Sequence, residues 1–246
     1  MTTKQFQSQR KCAAAPLIVT GGDKGGVGKS FQARVLAWQL QLRCIPLALC
    51  DGDERNAHLE RHYSSQLNTV RFDARSEAGW TSMFNHLDNV SADHAVLVDL
   101  PAGAGGILHR EAARLIANED LGMPTIHVWV ASPGEDSVRL FRDLMAIAPA
   151  SRTAFVMNKH NDESLGRFDI WMNSRTRAEF VAEGGLEVAL PKLPERPHDM
   201  IANQRLPFPS ERPANWLRGD WFTFFSFKAA VEREQASLIR LIQEMC

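Results

Sequence analysis

The chain has 246 residues, and its 28 Lys and Arg residues against 29 Asp and Glu residues give a formal net charge of −1. This length allows one large α/β domain with a substantial core, and no Gly/Ser-rich linker or composition break divides it. The near-neutral charge argues against a strongly basic nucleic-acid or membrane-surface protein, although it leaves a local basic face open.

The cysteines, at positions 12, 44, 50 and 246, form no C-x-x-C pair. Their spacing argues against a disulfide framework and provides no paired thiolates for zinc or an iron–sulfur cluster. We therefore expect reduced thiols in a cytoplasmic protein. The apolar run that begins at Cys12 is too short to span a bilayer, so we expect a short N-terminal tail before a first strand.

Short apolar runs alternate with longer segments of helical periodicity, which predicts βα units and a mostly parallel sheet. A weak strand signal begins at Leu186, and stronger runs predict strands at residues 16–20, 45–50, 95–100, 125–130 and 153–158. Between the first two strands, four apolar residues recur at spacings of four and three, which predicts one apolar helix face. These residues are Phe31, Val35, Trp38 and Leu42.

The remaining segments give weaker signals. Residues 69–73 favour an additional strand, and residues 80–87 favour a helix. The proline-rich stretch 191–213 predicts ordered loops with one short helix. An aromatic cluster at 221–227 precedes an apolar helical stripe that Gln235 interrupts, consisting of Val231, Leu238, Ile242 and Met245.

The segment GGDKGGVGKS, residues 21–30, follows a predicted strand and precedes a predicted helix, which is the context of a phosphate-binding P-loop. Glycines allow backbone N–H groups to turn towards phosphates, and the helix N-terminus adds the positive end of its dipole. We expect Lys29 to reach the β- and γ-phosphates and the Ser30 hydroxyl to bind Mg²⁺. The predicted nucleotide-binding residues of the loop are Gly25, Gly26, Val27, Gly28, Lys29 and Ser30.

Lys24 is an additional lysine in this loop. The segment KGGVGKS, residues 24–30, resembles the deviant Walker A motif of the ParA/MinD superfamily, K-G-G-x-G-K-[S/T]. In that family the first lysine reaches across a nucleotide-sandwich dimer to the partner's phosphates. The resemblance implies an ATP-dependent homodimer in which Lys24 is a catalytic cation acting in trans. A solvated loop lysine is the alternative.

Two further segments resemble the switch regions of the same family. LCDGDERN, residues 49–56, resembles switch I, which implies that Asp53 positions the attacking water and that Asp51 is a Mg²⁺-side carboxylate. AVLVDLPAG, residues 95–103, resembles Walker B and switch II, which implies that Asp99 holds the Mg²⁺ shell. The implied catalytic residues are then Lys24, Lys29 and Asp53, and the implied metal residues are Ser30, Asp51 and Asp99.

Asn158, at the end of the fifth predicted strand, matches the family asparagine that hydrogen-bonds adenine. The segment also resembles the N-K-x-D motif of GTPases, in which an aspartate accepts from two guanine N–H groups. Its fourth position here is Asn161, whose single carbonyl does not reproduce that acceptor pair. ATP is therefore favoured over GTP.

Three other signals have simpler explanations. His58 and His62 have a zinc-binding spacing, but no third ligand accompanies them, so a polar helix face is favoured. Four arginines lie between residues 196 and 218, and solvated loop residues are favoured over a patch for non-specific DNA. The C-terminal helix lacks the surplus of basic residues of a membrane anchor, and we expect it to pack on the domain.

We therefore predict a single doubly wound α/β domain over residues 1–246 with the P-loop NTPase fold. The resemblance implies a Mg²⁺-dependent ATPase that acts as a nucleotide switch with an adaptor or activator protein. Within the superfamily the segments at 24–30 and 49–62 look most like the plasmid TraL/StbB group, linked with partition and conjugation. A metabolic P-loop ligase or synthetase, or a nucleotide-gated adaptor with little turnover, is the alternative.

Overall fold

The computed structural model describes residues 16–22, 24–54, 56–90, 92–120, 122–159 and 168–246. Asn161, the predicted N-terminal tail and Cys12 lie outside these ranges. Within the described ranges, seven strands form one sheet in the order β3-β2-β4-β1-β5-β6-β7. The strands are β1 (Leu17–Gly22), β2 (Leu47–Asp51), β3 (Thr69–Arg71), β4 (Ala95–Asp99), β5 (Thr125–Ala131), β6 (Thr153–Asn158) and β7 (Leu186–Leu190).

The helices flank the sheet on both faces. They are α1 (Lys29–Leu42), α2 (His58–Tyr63), α3 (Glu77–Leu87), α4 (Ala104–Asp120), α5 (Glu135–Met145), α6 (Asp169–Met172), α7 (Arg175–Ala182), α8 (Glu195–Gln204), α9 (Arg218–Glu234) and α10 (Ala236–Met245). No helix in the described ranges is long and apolar enough to cross a membrane.

Every strand pair is parallel, and the central strands β1, β2, β4 and β5 are buried along their whole length. Burial on both faces explains why these strands are continuous apolar runs in the sequence. One hydrophobic core lies between the sheet and α1, α2 and α8 to α10, and the other between the sheet and α3 to α7. The predicted doubly wound parallel α/β fold is confirmed.

The less regular regions are also ordered. The extra strand predicted at 69–73 is the three-residue edge strand β3, and the proline-rich stretch contains the single helix α8. The aromatic cluster is not separate from the C-terminal helical stripe, because it forms the first half of α9. Phe224 and Phe227 of this cluster are buried against α1, whereas Phe222 is 72% exposed.

Gln235 explains the interruption in the C-terminal apolar stripe. It lies between α9 and α10, is fully buried, and exchanges side-chain amide hydrogen bonds with Gln32 of α1 at 2.8 and 3.1 Å. Its Oε1 also accepts from Gln39 of α1 (3.0 Å), and its Nε2 donates to the Ala189 carbonyl of β7 (3.2 Å). A buried amide network thus joins the C-terminal helices to the helix that follows the phosphate loop.

Gln235→Leu should lower the free energy of unfolding by at least about 2 kcal/mol, because it leaves buried amide groups of Gln32 and Gln39 unpaired. Urea denaturation measures this loss. The exposed Gln204→Leu is the matched control and should change stability by less than about 0.5 kcal/mol. Equal stabilities of the two variants would contradict a stabilising role for the network.

Candidate nucleotide-binding site

The phosphate loop connects the central strand β1 to α1 at the carboxyl edge of the sheet. Gly26 and Gly28 have positive φ angles of 77° and 96°, a backbone region that side chains other than glycine rarely adopt. A Cβ at Gly28 would also lie 2.5 Å from Nδ2 of Asn158. Gly26 is therefore required by its backbone conformation, and Gly28 by both its backbone conformation and close packing.

Lys29 points into the site. It is only 6% exposed, and its Nζ donates a hydrogen bond to the Lys24 carbonyl (2.6 Å). It lines a cavity of about 410 Å³ together with three loop glycines and Ser30, namely Gly25, Gly26 and Gly28. Val27 is buried beneath the loop instead, and it is not among the described residues that line this cavity. The cavity therefore presents a cation, a hydroxyl and a glycine-rich backbone, which is the donor set that phosphates need.

Lys24 occupies a different position from Lys29. Its Nζ forms an ion pair with Oδ2 of Asp136 in the first turn of α5 (2.9 Å), and both side chains are more than half exposed. The hydrogen bond and charge of Lys24 lower the pKa of the Asp136 carboxyl. Lys24 is not among the described residues that line the cavity of its own subunit.

Two aspartates end adjacent strands at the same edge. Asp51 of β2 and Asp99 of β4 are register partners, and they are 0% and 1% exposed. Burial raises the pKa of Asp51 to about 6 and that of Asp99 to about 8. The Asp51 charge adds to the increase at Asp99, while the Ser30 hydroxyl and the Lys29 charge oppose it.

The two aspartates differ in their hydrogen bonds. Asp51 Oδ2 accepts from the N–H groups of Leu59 (2.8 Å) and Glu60 (3.3 Å), and Oδ1 accepts from the Asp53 N–H (3.2 Å). Asp51 thus holds the start of α2, and its metal role stays a prediction. Neither carboxylate oxygen of Asp99 has a hydrogen-bond partner of good geometry. A buried, unsatisfied carboxylate beside a serine hydroxyl fits the oxygen ligands that Mg²⁺ prefers.

Asp53 lies at the same cavity as Lys29, and its predicted water-positioning role stays a prediction. It lines the 410 Å³ cavity, and its Oδ1 accepts a hydrogen bond from the Asn56 N–H (3.2 Å). Lys29, Ser30 and Asp53 line one cavity, whereas the other three predicted catalytic and metal residues are not among its described lining residues, namely Lys24, Asp51 and Asp99.

Asn158 lies at the other side of the loop. Its Nδ2 donates to the Val27 carbonyl (2.7 Å), so part of its amide fixes the phosphate loop. A smaller cavity of about 130 Å³ also contains Asn158, and it is lined by Gly26, Gly28, Phe31, Asn158, Pro191, Leu193 and His198. This cavity has the apolar walls and the amide that a base requires, and the adenine role of Asn158 stays a prediction.

Sequence reasoning missed several residues of the site. Arg34, Asn56, His58 and His198 line the larger cavity, and His198 also lines the smaller one. For Arg34 a signal existed, because it follows the loop serine by four positions on α1 and therefore lies on the same helix face. His198 comes from α8, more than 160 residues after the loop, and no local pattern connects the two.

Of the two histidines of α2, His58 is partly exposed, whereas His62 is not on a solvated polar face. His62 is 4% exposed, and its Nδ1 donates to the His58 carbonyl (2.8 Å). Burial and the positive charge of Arg34 lower the pKa of His62 to about 4, so it is neutral at neutral pH. Within the described ranges, no group of His, Cys, Asp and Glu residues has the arrangement of a metal centre with three such ligands.

Comparisons with known proteins agree with this architecture. Protein MobD of Acidithiobacillus ferrooxidans is 26% identical over 195 residues, which are 78% of this chain and 85% of MobD. No protein-family model matches the sequence. The signal recognition particle receptor FtsY of Elizabethkingia anophelis has a TM-score of 0.53 at 15% identity, over 90% of this chain and 68% of FtsY.

A further structural neighbour is a chain of the MinC:MinD cell division protein complex of Aquifex aeolicus. It has a TM-score of 0.48 at 16% identity, over 78% of this chain and 87% of that chain. At these identities, the likeness to FtsY shows the fold alone. The P-loop NTPase fold that the sequence predicted is confirmed.

Asp99→Asn should flatten the pH dependence of stability in the metal-free and nucleotide-free protein. Because burial raises its pKa above the unfolded value of about 4, the folded state binds more protons, and stability falls as pH rises towards about 8. Between pH 5 and pH 8, the free energy of unfolding of the variant should fall by about 1–3 kcal/mol less than that of the wild type. Urea denaturation in EDTA at both pH values measures this difference.

The control for removal of one carboxylate is Asp120→Asn at an exposed position. Its free energy of unfolding should change between pH 5 and pH 8 by the same amount as that of the wild type. If Asp99→Asn also shows the wild-type change, the Asp99 carboxyl is not a proton-binding group of the folded state in this pH range.

Proposed function

We propose that this protein is a Mg²⁺-dependent ATPase of the ParA/MinD type, which forms an ATP-sandwich dimer and acts as a nucleotide switch. The observation that supports this most directly is the opposite placement of the two loop lysines. Lys29 is buried in the cavity of its own subunit, whereas Lys24 is exposed at its rim and paired with Asp136. A lysine in that position is available to the phosphates of a second subunit once it leaves Asp136.

The residues then have separate roles. Lys29 and the backbone N–H groups of the loop bind the phosphates, and Asp53 orients the attacking water. Ser30 and Asp99 hold Mg²⁺, which supplies positive charge for the phosphate oxygens when it is bound. The partner subunit's Lys24 stabilises the charge that develops on the transferred phosphoryl group, so hydrolysis requires the dimer.

The cellular role that we propose is plasmid partition, conjugation or the positioning of another cargo in the cytoplasm, through an adaptor or activator protein. The motifs at residues 24–30 and 49–62 support the TraL/StbB-like group within the family. The buried, unoxidised thiol of Cys50 suits a reducing compartment. The choice of ATP over GTP rests on Asn161, which stands where GTPases have an aspartate, and Asn158 in the smaller cavity is the proposed adenine-binding residue.

Lys29→Ala should weaken binding of a fluorescent ATP analogue by at least about tenfold, because a hydrogen bond from a charged group to phosphate is lost. Lys24→Ala is the matched control within the same loop, and its monomer should bind ATP like the wild type. If Lys29→Ala binds the ATP analogue with near wild-type affinity, the proposed P-loop function is refuted.

The trans role of Lys24 is tested by mixing two inactive variants, Lys24→Ala and Asp53→Ala. In the mixed dimer, the site of the Lys24→Ala subunit keeps its own Asp53 and receives Lys24 from its partner. About a quarter of wild-type ATPase activity should return, since half of randomly paired dimers are mixed and each has one complete site.

A cis role of Lys24 gives no complete site in either subunit, so activity stays at background. Background activity in a mixture whose heterodimers are demonstrated by light scattering and tagged pull-down would therefore overturn the sandwich-dimer mechanism. Full ATPase turnover of a strictly monomeric wild-type protein would instead favour the metabolic P-loop enzyme.

A further inference from the structure

Arg34 is a buried arginine in the wall of the larger cavity. It lies on α1 four positions after Ser30, and long helical side chains lean towards the helix N-terminus, which here is the phosphate loop. Arg34 is only 6% exposed, and it lines the same cavity as Lys29 and Asp53. Arg34 is therefore directed towards the phosphate-binding end of α1.

The charge of Arg34 is not neutralised by the protein. In the ranges that the structure describes, its guanidinium forms no ion pair with a carboxylate, and its buried Nε has no hydrogen-bond partner. Burial lowers the pKa of Arg34 to about 10, which still leaves the guanidinium charged at neutral pH. Removing an unpaired cation from water costs several kcal/mol, so such a group in a cavity wall indicates an anionic ligand.

The surrounding side chains hold Arg34 in position. Its guanidinium carbon lies 5.0 Å from the ring centroid of Phe208, and the Tyr63 hydroxyl donates to the Arg34 carbonyl (2.9 Å). Phe208 in turn packs against Phe31 and Trp38 of the same helix. A planar guanidinium can stack on an aromatic ring and still donate from its edge, which a lysine ammonium cannot do.

The position of Arg34 indicates which part of a ligand it meets. It does not line the smaller cavity, which holds Asn158, Pro191 and Leu193 and has the character of a base site. It lies with Asp53, Asn56 and His58 on the side of the segment that follows β2. A nucleotide that extends from the smaller cavity across the loop glycines would direct its last phosphate towards this side.

We propose that Arg34 binds the terminal phosphate of a nucleoside triphosphate in its own subunit, and so distinguishes triphosphate from diphosphate before any dimer forms. This inference rests on the proposed nucleotide-binding function, and it assigns the triphosphate selectivity of that site to a residue outside the phosphate loop. A guanidinium suits this task because its fork of N–H donors matches two oxygens of one phosphate.

The test compares the affinities of ATPγS and ADP for the full chain, by displacement of a fluorescent ADP analogue at protein concentrations where light scattering shows monomers. Arg34→Met should weaken ATPγS binding by at least about tenfold while changing ADP binding less than about twofold, because ADP lacks the phosphate that Arg34 contacts. The affinity of Arg34→Lys for ATPγS should lie between those of Arg34→Met and the wild type.

Arg43→Met is the matched control, because Arg43 is at the other end of the same helix and its Nη1 donates to the Gln39 carbonyl (2.9 Å). It should keep the wild-type ratio of the two affinities. Arg34→Gln provides a second uncharged variant if Arg34→Met lowers the melting temperature, and unchanged ADP affinity reports an intact fold.

Four results would overturn the inference. Equal losses for ATPγS and ADP would make Arg34 a structural residue of the cavity. Unchanged affinities in Arg34→Met would mean that the terminal phosphate lies elsewhere. In a third result, inorganic phosphate binds the ADP-loaded wild type but not the ADP-loaded Arg34→Met variant, while the two proteins bind ATPγS equally well. The guanidinium would then bind a separate anion. A wild-type protein that binds neither nucleotide would refute the proposed function together with this inference.

Discussion

Burial of charge beneath the phosphate loop is the constraint on which the rest of the structure depends. Lys29, Arg34, Asp51 and Asp99 are each at most 6% exposed, and they meet at the carboxyl edge of three adjacent strands. Burying charges costs several kcal/mol for each group, even when some of them attract one another. The two extensive hydrophobic cores offset this cost, so the rigid parallel sheet is what allows so many charged groups to share one edge.

Helix α1 connects this edge to the C-terminal part of the chain. Its N-terminus holds the phosphate loop, its middle contacts Phe208, and Gln32 and Gln39 bond to Gln235. These partners follow α1 by more than 160 residues in the sequence, and together with the sheet they bury the helix on nearly all sides. The C-terminal helices are therefore part of the support of the site, since they fix the helix whose first residues hold the loop.

The sequence predicts the elements whose signals are local. Strand β6 agrees to the residue, because an interior parallel strand is a continuous apolar run, and the phosphate loop is recognised by its glycines and its flanking elements. Arg34 and His198 could not be predicted in the same way. The apolar stripe of α1 indicates one buried face, whereas the structure buries Arg34 and Gln39 through contacts made by distant segments. The partner of Lys24 in its own subunit, Asp136, is likewise a tertiary contact.

The charges at this edge also support the proposal that a subunit of the ATPase is incomplete alone. Lys29 and Arg34 are its buried cations, while Asp51, Asp53 and Asp99 are three carboxyl groups at the same edge. The raised pKa values of Asp51 and Asp99 limit their negative charge, but a bound metal ion favours their ionised forms. Phosphates then add further negative charge, and Lys24 cannot neutralise it while it is paired with Asp136 at the rim. In the proposed mechanism the additional positive charge comes from Mg²⁺ and from the partner subunit's Lys24, which would make hydrolysis depend on the dimer.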